Sequence, residues 1–215
     1  MRLYVFPFAP NVMRVQVIAA EKGIALEQVN VPDLPPGRFA EINPLGQVPA
    51  LELDDGEVIT ESLTIGQYLD AVSGAPFLHG DSALERARIG MWERRAEMAL
   101  FLPSIEYGHH THSMFASFVT QHAEWAATLT PRAEKMLAVM GDRLDRSPWL
   151  AGDAFSAADI TAALGYFGLV AFGGIRPSDR PSLQAWSGTM LARPSLAPLR
   201  EAAAYLQTQA KEASA

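Results

Sequence analysis

Apolar and polar positions follow two rhythms along this chain, and the rhythm changes once, near residue 75. In the first part, short β-prone runs alternate with helical stretches. Residues 3–6 read as a strand that Pro7 and Pro10 bring to an end. The spacing then predicts a helix over residues 11–21, stopped by Lys22, a cation in the last turn, and by Gly23, which takes a positive φ freely. Residues 24–31 alternate loosely as a second strand, and strand–helix–strand order implies parallel pairing, because parallel strands need a crossover. After a loop with Pro32, Pro35 and Pro36, residues 47–53 are extended, and Asp54-Asp55-Gly56 is a hairpin turn into residues 57–60. These two strands are expected to be antiparallel. Over residues 62–72, Leu63, Ile65, Tyr68, Leu69 and Val72 recur at helical spacing, and Gly74 closes the helix.

Residues 75–82 are turn-rich, and no strand pattern survives beyond them. A long helix is predicted over residues 83–102, resuming with a kink through Pro103 to residue 118, since proline removes a backbone donor. Thr130-Pro131 reads as an N-cap followed by proline at the first helical position, opening a helix to residue 144. Its buried face would carry Met136, Leu137, Met140 and Leu144. Further helices fit residues 157–172 and 182–192. The expected fold class is therefore an α/β N-terminal domain, residues 1–76, followed by an all-α C-terminal helical bundle, residues 83–215. No internal repeat is visible, and the alanine-rich C-terminal end is the sole biased stretch.

Composition leaves the fold as read and narrows the function. At 49% apolar and 19% charged, the chain is an ordinary globular mixture. A net charge of −7 without a basic run argues against nucleic acid as a partner, because phosphate binding needs clustered Lys and Arg. No apolar run reaches the roughly 20 residues that cross a bilayer, and Met1-Arg2-Leu3-Tyr4 lacks a signal-peptide pattern. No membrane association and a cytoplasmic location are the expectations. With 0 cysteines, any thiol chemistry uses a thiol from outside the chain.

The stretch that bears on function is Asn43-Pro44-Leu45-Gly46-Gln47-Val48-Pro49-Ala50-Leu51, followed by Glu61-Ser62. Pro49 heads a strand to whose ladder it cannot donate, which places it at an edge or a special turn. A cis Val48-Pro49 bond would turn the N–H and C=O of Val48 outward, toward an extended peptide ligand. Glu61-Ser62 stands where a strand gives way to a helix, whose free N–H groups and dipole suit a carboxylate. Alternatively, Ser62 is the N-cap and Glu61 a solvated charge. Farther on, Ser156 and Asp159 form a capping box with Phe155 and Ile160 as its staple, a device for starting a helix.

Asn-Pro-Leu-Gly-Gln-Val-Pro-Ala-Leu, an acidic turn, and Thr-Glu-Ser-x-x-Ile-x-x-Tyr-Leu resemble the glutathione S-transferase superfamily, and the likeness extends over Trp149–Asp153 and Phe155–Ile160. The resemblance implies a thioredoxin-like first domain that binds glutathione through Gln47, Val48 and Pro49, with the proline cis. It implies that Glu61 and Ser62 hold the γ-glutamyl end and Arg38 the glycine carboxylate, while Asn43 structures the loop. A homodimer with a small electrophile as second substrate, and no cofactor beyond glutathione, follows from the same likeness.

One part of the family pattern is missing. The hydroxyl that activates the thiol in many relatives falls on Ala9. Tyr4 lies one residue out of register, which in a strand is the opposite face, so a core tyrosine is expected. Asn11 is the better candidate, with an amide donor at a helix start. Tyr107, His109, His110, His112 and Phe115 fall on one predicted helix; they could line a second-substrate pocket or face solvent, and Glu106 with one histidine makes too small a set for a metal. The expected activity is attack of bound glutathione thiolate on an electrophile. The alternatives are a non-catalytic glutathione-binding protein, or a reductase of disulfides or peroxides that uses glutathione.

Overall fold

The computed structural model describes residues 1–212, so the end of the alanine-rich tail lies outside the described residues. The chain divides into two compact units, Met1–Phe77 with Pro194–Ala202, and Leu78–Arg193 with the chain from Ala203.

The first unit is built on a four-stranded sheet of order β2-β1-β3-β4. The strands are β1 Arg2–Val5, β2 Glu27–Asn30, β3 Ala50–Glu52 and β4 Val58–Thr60. β1 and β2 are parallel, joined by the helix α1 Pro10–Glu21, with Tyr4 opposite Val29. β3 runs antiparallel to β1 and to β4, with Leu51 opposite Leu3 and Ile59. Side chains alternate across the pleat. Tyr4 and Ala50 on one face pack with Phe39 of a short helix, α2 Arg38–Ile42. Leu3 and Leu51, on the other, are fully buried, as are Val15 and Ile18 of α1 and Ile65 and Leu69 of α3 Ser62–Ser73.

Two sequence expectations change here. The proline-rich loop contains α2, whose single turn is too short to show a period. Lys22, read as a last-turn cation, instead reaches α3. Its Nζ pairs with Asp70 Oδ1 at 2.9 Å, both side chains being under 5% exposed, and donates to Gly74 O at 2.5 Å and to Pro76 O.

The second unit is helical among the described residues: α4 Ala83–Ala96, α5 Leu102–Thr111, α6 Ala123–Ala127, α7 Thr130–Leu144, α8 Ala157–Ala171 and α9 Pro181–Ala192. A last helix, α10 Ala197–Glu212, begins within the segment that belongs to the first unit. Glu97–Phe101 is a π-turn between α4 and α5, and Pro103 sits in the first turn of α5, where its missing N–H is tolerated, so the helical course continues through it. The expected continuation to residue 118 fails: α5 stops at Thr111, because His112 turns extended. Thr130 is inside α7 rather than its cap, its hydroxyl donating to Gly174 O at 2.9 Å.

Asp159, fully buried near the start of α8, accepts from Leu150 N and Trp186 Nε1 at 3.1 Å each, and from Ser156 N and Oγ at 3.2 and 3.0 Å. The box thus ties two further segments to the helix start. The Phe155 ring meets Trp149 edge-on at 5.2 Å and the Arg193 guanidinium at 3.7 Å.

Candidate functional site

Two helix starts define the site. In the turn before α1, Ala9 N donates to Phe6 O at 3.2 Å, Phe8 takes φ 59°, and Ala9 is the extended N-cap. Pro10 has no N–H, so the first amides that α1 offers are those of Asn11 and Val12. At α3, Glu61 is the N-cap with φ 66° and ψ 114°, and the first intrahelical bond is Ile65 N to Glu61 O at 2.9 Å. The N–H groups of Ser62, Leu63 and Thr64 therefore stand outside the ladder. Among the described residues, Phe8 and Glu61 are the non-glycine residues with positive φ; Phe8 precedes the N-cap of α1, and Glu61 is the N-cap of α3. Such strain, on the order of 1–3 kcal/mol per residue, is retained mainly where function holds it.

A chain of hydrogen bonds connects the two starts. Arg14 Nη1 donates to Ser62 Oγ at 3.1 Å, and Ser62 Oγ donates to Asn11 Oδ1 at 2.8 Å. Arg14 is 1% exposed and Ser62 5%. Ser62 is thus not the N-cap, and its hydroxyl is committed to Asn11, which leaves the backbone amides of α3 as the free donors for an anion. Arg14 went unnoticed in the sequence. The signal was a charged residue inside the apolar stripe Val12, Met13, Val15, where a charge is almost never fully buried without partners.

Asn43, 3% exposed, donates from Nδ2 to Gln47 O at 2.6 Å and accepts the Leu45 amide on Oδ1 at 3.2 Å. It shapes the loop as expected, and Gln47 and Val48 follow, with a cis Val48-Pro49 bond. Arg38 is exposed and ion-paired with Glu41 at 2.5 Å in α2. Tyr4 is a core residue, 4% exposed, with its ring 5.8 Å from Phe39 and its hydroxyl donating to Glu52 Oε2 at 2.5 Å. Burial, then the bond to Glu52, pushes its phenol pKa up. A cavity of about 480 Å³ adjoins the turn before α1, with Phe6, Phe8, Val12, Gln16, Asn30 and Ser195 in its wall.

His109, His110 and His112 belong to the second unit and are half-buried, while His122 beside them is exposed. His109 meets Phe115 edge-on at 4.7 Å, and burial lowers its pKa. His110 Nδ1 accepts from His122 N at 3.2 Å, with Glu106 at 3.8 Å and the Trp125 ring at 4.9 Å. His112 and Phe115 lie beyond α5, both against Phe172. Among the described residues no three metal-ligating side chains converge.

A thioredoxin-like sheet with an anion-attracting helix start beside a cis-proline loop, followed by a helical unit, defines the class. Residues 3–77 match the glutathione S-transferase N-terminal domain and residues 97–194 the C-terminal domain. Glutathione S-transferase 2 of Saccharomyces cerevisiae is 34% identical over 94% of this chain and 90% of its own. A glutathione S-transferase domain-containing protein of Marinobacter aquaeolei superposes with TM-score 0.82 at 33% identity, covering 91% of this chain and 100% of its own. Gtt2 from Saccharomyces cerevisiae gives 0.80 at 33% identity, over 91% and 98%. The chain belongs to the glutathione S-transferase superfamily.

Proposed function

We propose that this chain is a glutathione transferase that activates the glutathione thiol through Asn11 and the amides at the start of α1. The carrying observation is the 2.8 Å bond from Ser62 Oγ to Asn11 Oδ1, which draws the thiol-end candidate and the α3 start into one site. In this assignment the γ-glutamyl carboxylate lies on the α3 amides with Glu61 accepting from its ammonium, and Gln47, Val48 and Pro49 pair with the cysteinyl part. Arg38 serves the glycine carboxylate, exchanging Glu41 for it. Ala9 supplies no hydroxyl, so stabilisation of the thiolate rests on donors alone, and hydrogen bonds to an anion lower its pKa. A cytoplasmic homodimer, taking a small electrophile as second substrate, completes the assignment.

Ala9 also favours a second reading, a glutathione-binding protein without conjugating activity. The two part on one measurement, the absorbance titration of the thiolate of bound glutathione. A transferase lowers the thiol pKa below that of free glutathione; a bound thiol that titrates like the free one would leave only the binding protein. No heat of binding in calorimetry would exclude both. Tyr4→Phe should leave the titration and turnover unchanged, and loss of turnover there would move the chemistry to the phenol.

A further inference from the structure

We infer that Arg14 is a positioning residue that fixes which end of the Asn11 side chain faces the bound thiol. The inference rests on the reading of Asn11 as the thiolate donor. A guanidinium has N–H groups and no acceptor, so Ser62 Oγ must accept from Arg14. That leaves the hydroxyl with one proton to give, and Asn11 Oδ1 takes it at 2.8 Å. With its oxygen held there, the amide turns its Nδ2 donors away from Ser62.

The opposite orientation is disfavoured by the same inventory. With Nδ2 toward Ser62, the hydroxyl would accept from two donors and need another acceptor for its own proton, in surroundings where Ser62 is 5% exposed. Oδ1 would then confront the thiolate with lone pairs. Arg14 carries its charge at every pH of interest, so it imposes this polarity permanently. It is itself 1% exposed, so it acts on the thiol through Ser62 and Asn11.

The test is a double-mutant cycle read in the thiolate absorbance titration at saturating glutathione. Arg14→Met and Asn11→Ala should each raise the thiol pKa by about one unit, the loss of one hydrogen bond to a charged group. The double variant should titrate with Asn11→Ala alone, because Arg14 has nothing left to orient. Asn11→Asp, which presents oxygen at both ends, should shift the titration further than Asn11→Ala. Ser62→Ala gives the same readout with Arg14 intact, an upward shift in the parent and none in the Asn11→Ala background, and it serves if Arg14→Met does not fold. Additive shifts would show that Arg14 acts by its field alone and overturn the inference. So would a shift in Asn11→Ala with none in Arg14→Met or Ser62→Ala, while Asn11 kept its role. A silent Asn11→Ala would remove the thiolate assignment itself, and the inference with it.

Discussion

Asp159 has no exposed surface, yet four donors surround its carboxyl. Burial outweighs those bonds and raises its pKa from an ordinary 3.8 to about 6. A carboxyl whose folded pKa lies above its unfolded value takes up a proton on folding. Its contribution is therefore fully present below pH 4 and declines as the pH rises through about 6. Asp159→Ala orphans buried donors and should cost about 3 kcal/mol. Denaturant titrations should show the parent's advantage over this variant shrinking between pH 4 and pH 6 and staying level above. Glu61 offers the converse test. Glu61→Gly relieves a left-handed backbone at φ 66°, so it should raise stability by about 1 kcal/mol while weakening glutathione binding in calorimetry.

Among the elements, the long ones were legible and the single turns were not. The helices α1, α3, α7, α8 and α9 carry enough turns to show a period, and the Asp-Asp-Gly turn marked the β3–β4 hairpin. α2 and α6 have five residues each, and the π-turn has no pattern of its own. Of the candidate site, the motif residues from Asn43 to Pro49 and Glu61-Ser62 stand out in the sequence, because the family order is local. The bond chain from Arg14 to Asn11 could not, since Ser62 is 48 residues from Arg14 and only the packing of α3 on α1 joins them. The π-turn also depends on a neighbour. A Cβ on Gly165 of α8 would lie 2.5 Å from Phe101 N and 2.6 Å from Leu100 C, both backbone atoms. Gly165→Ala should therefore cost about 1–3 kcal/mol, seen as a lower Tm in calorimetry.

For the molecule as a whole, the unit carrying the site is discontinuous in sequence. Pro194–Ala202 belongs to it, with Leu196 1% and Leu199 7% exposed and Ser195 Oγ donating to Glu21 of α1. A boundary placed near residue 76 by the change of rhythm had no means of finding this return, because the pattern there is that of one more helix. Leu196→Ala should cost about 2–5 kcal/mol, and amide exchange should speed up in β1 and α1.

That return sets an order of events during synthesis. The sheet, the cis-proline loop and both helix starts leave the ribosome first, yet the last piece of their unit is encoded after residue 193. Translation at about 5–20 residues per second holds the first 77 residues incomplete for roughly 6–25 seconds. Throughout that interval the surface of α1 that receives Leu196 is open to chaperones and proteases, although the residues proposed to bind glutathione have already been made.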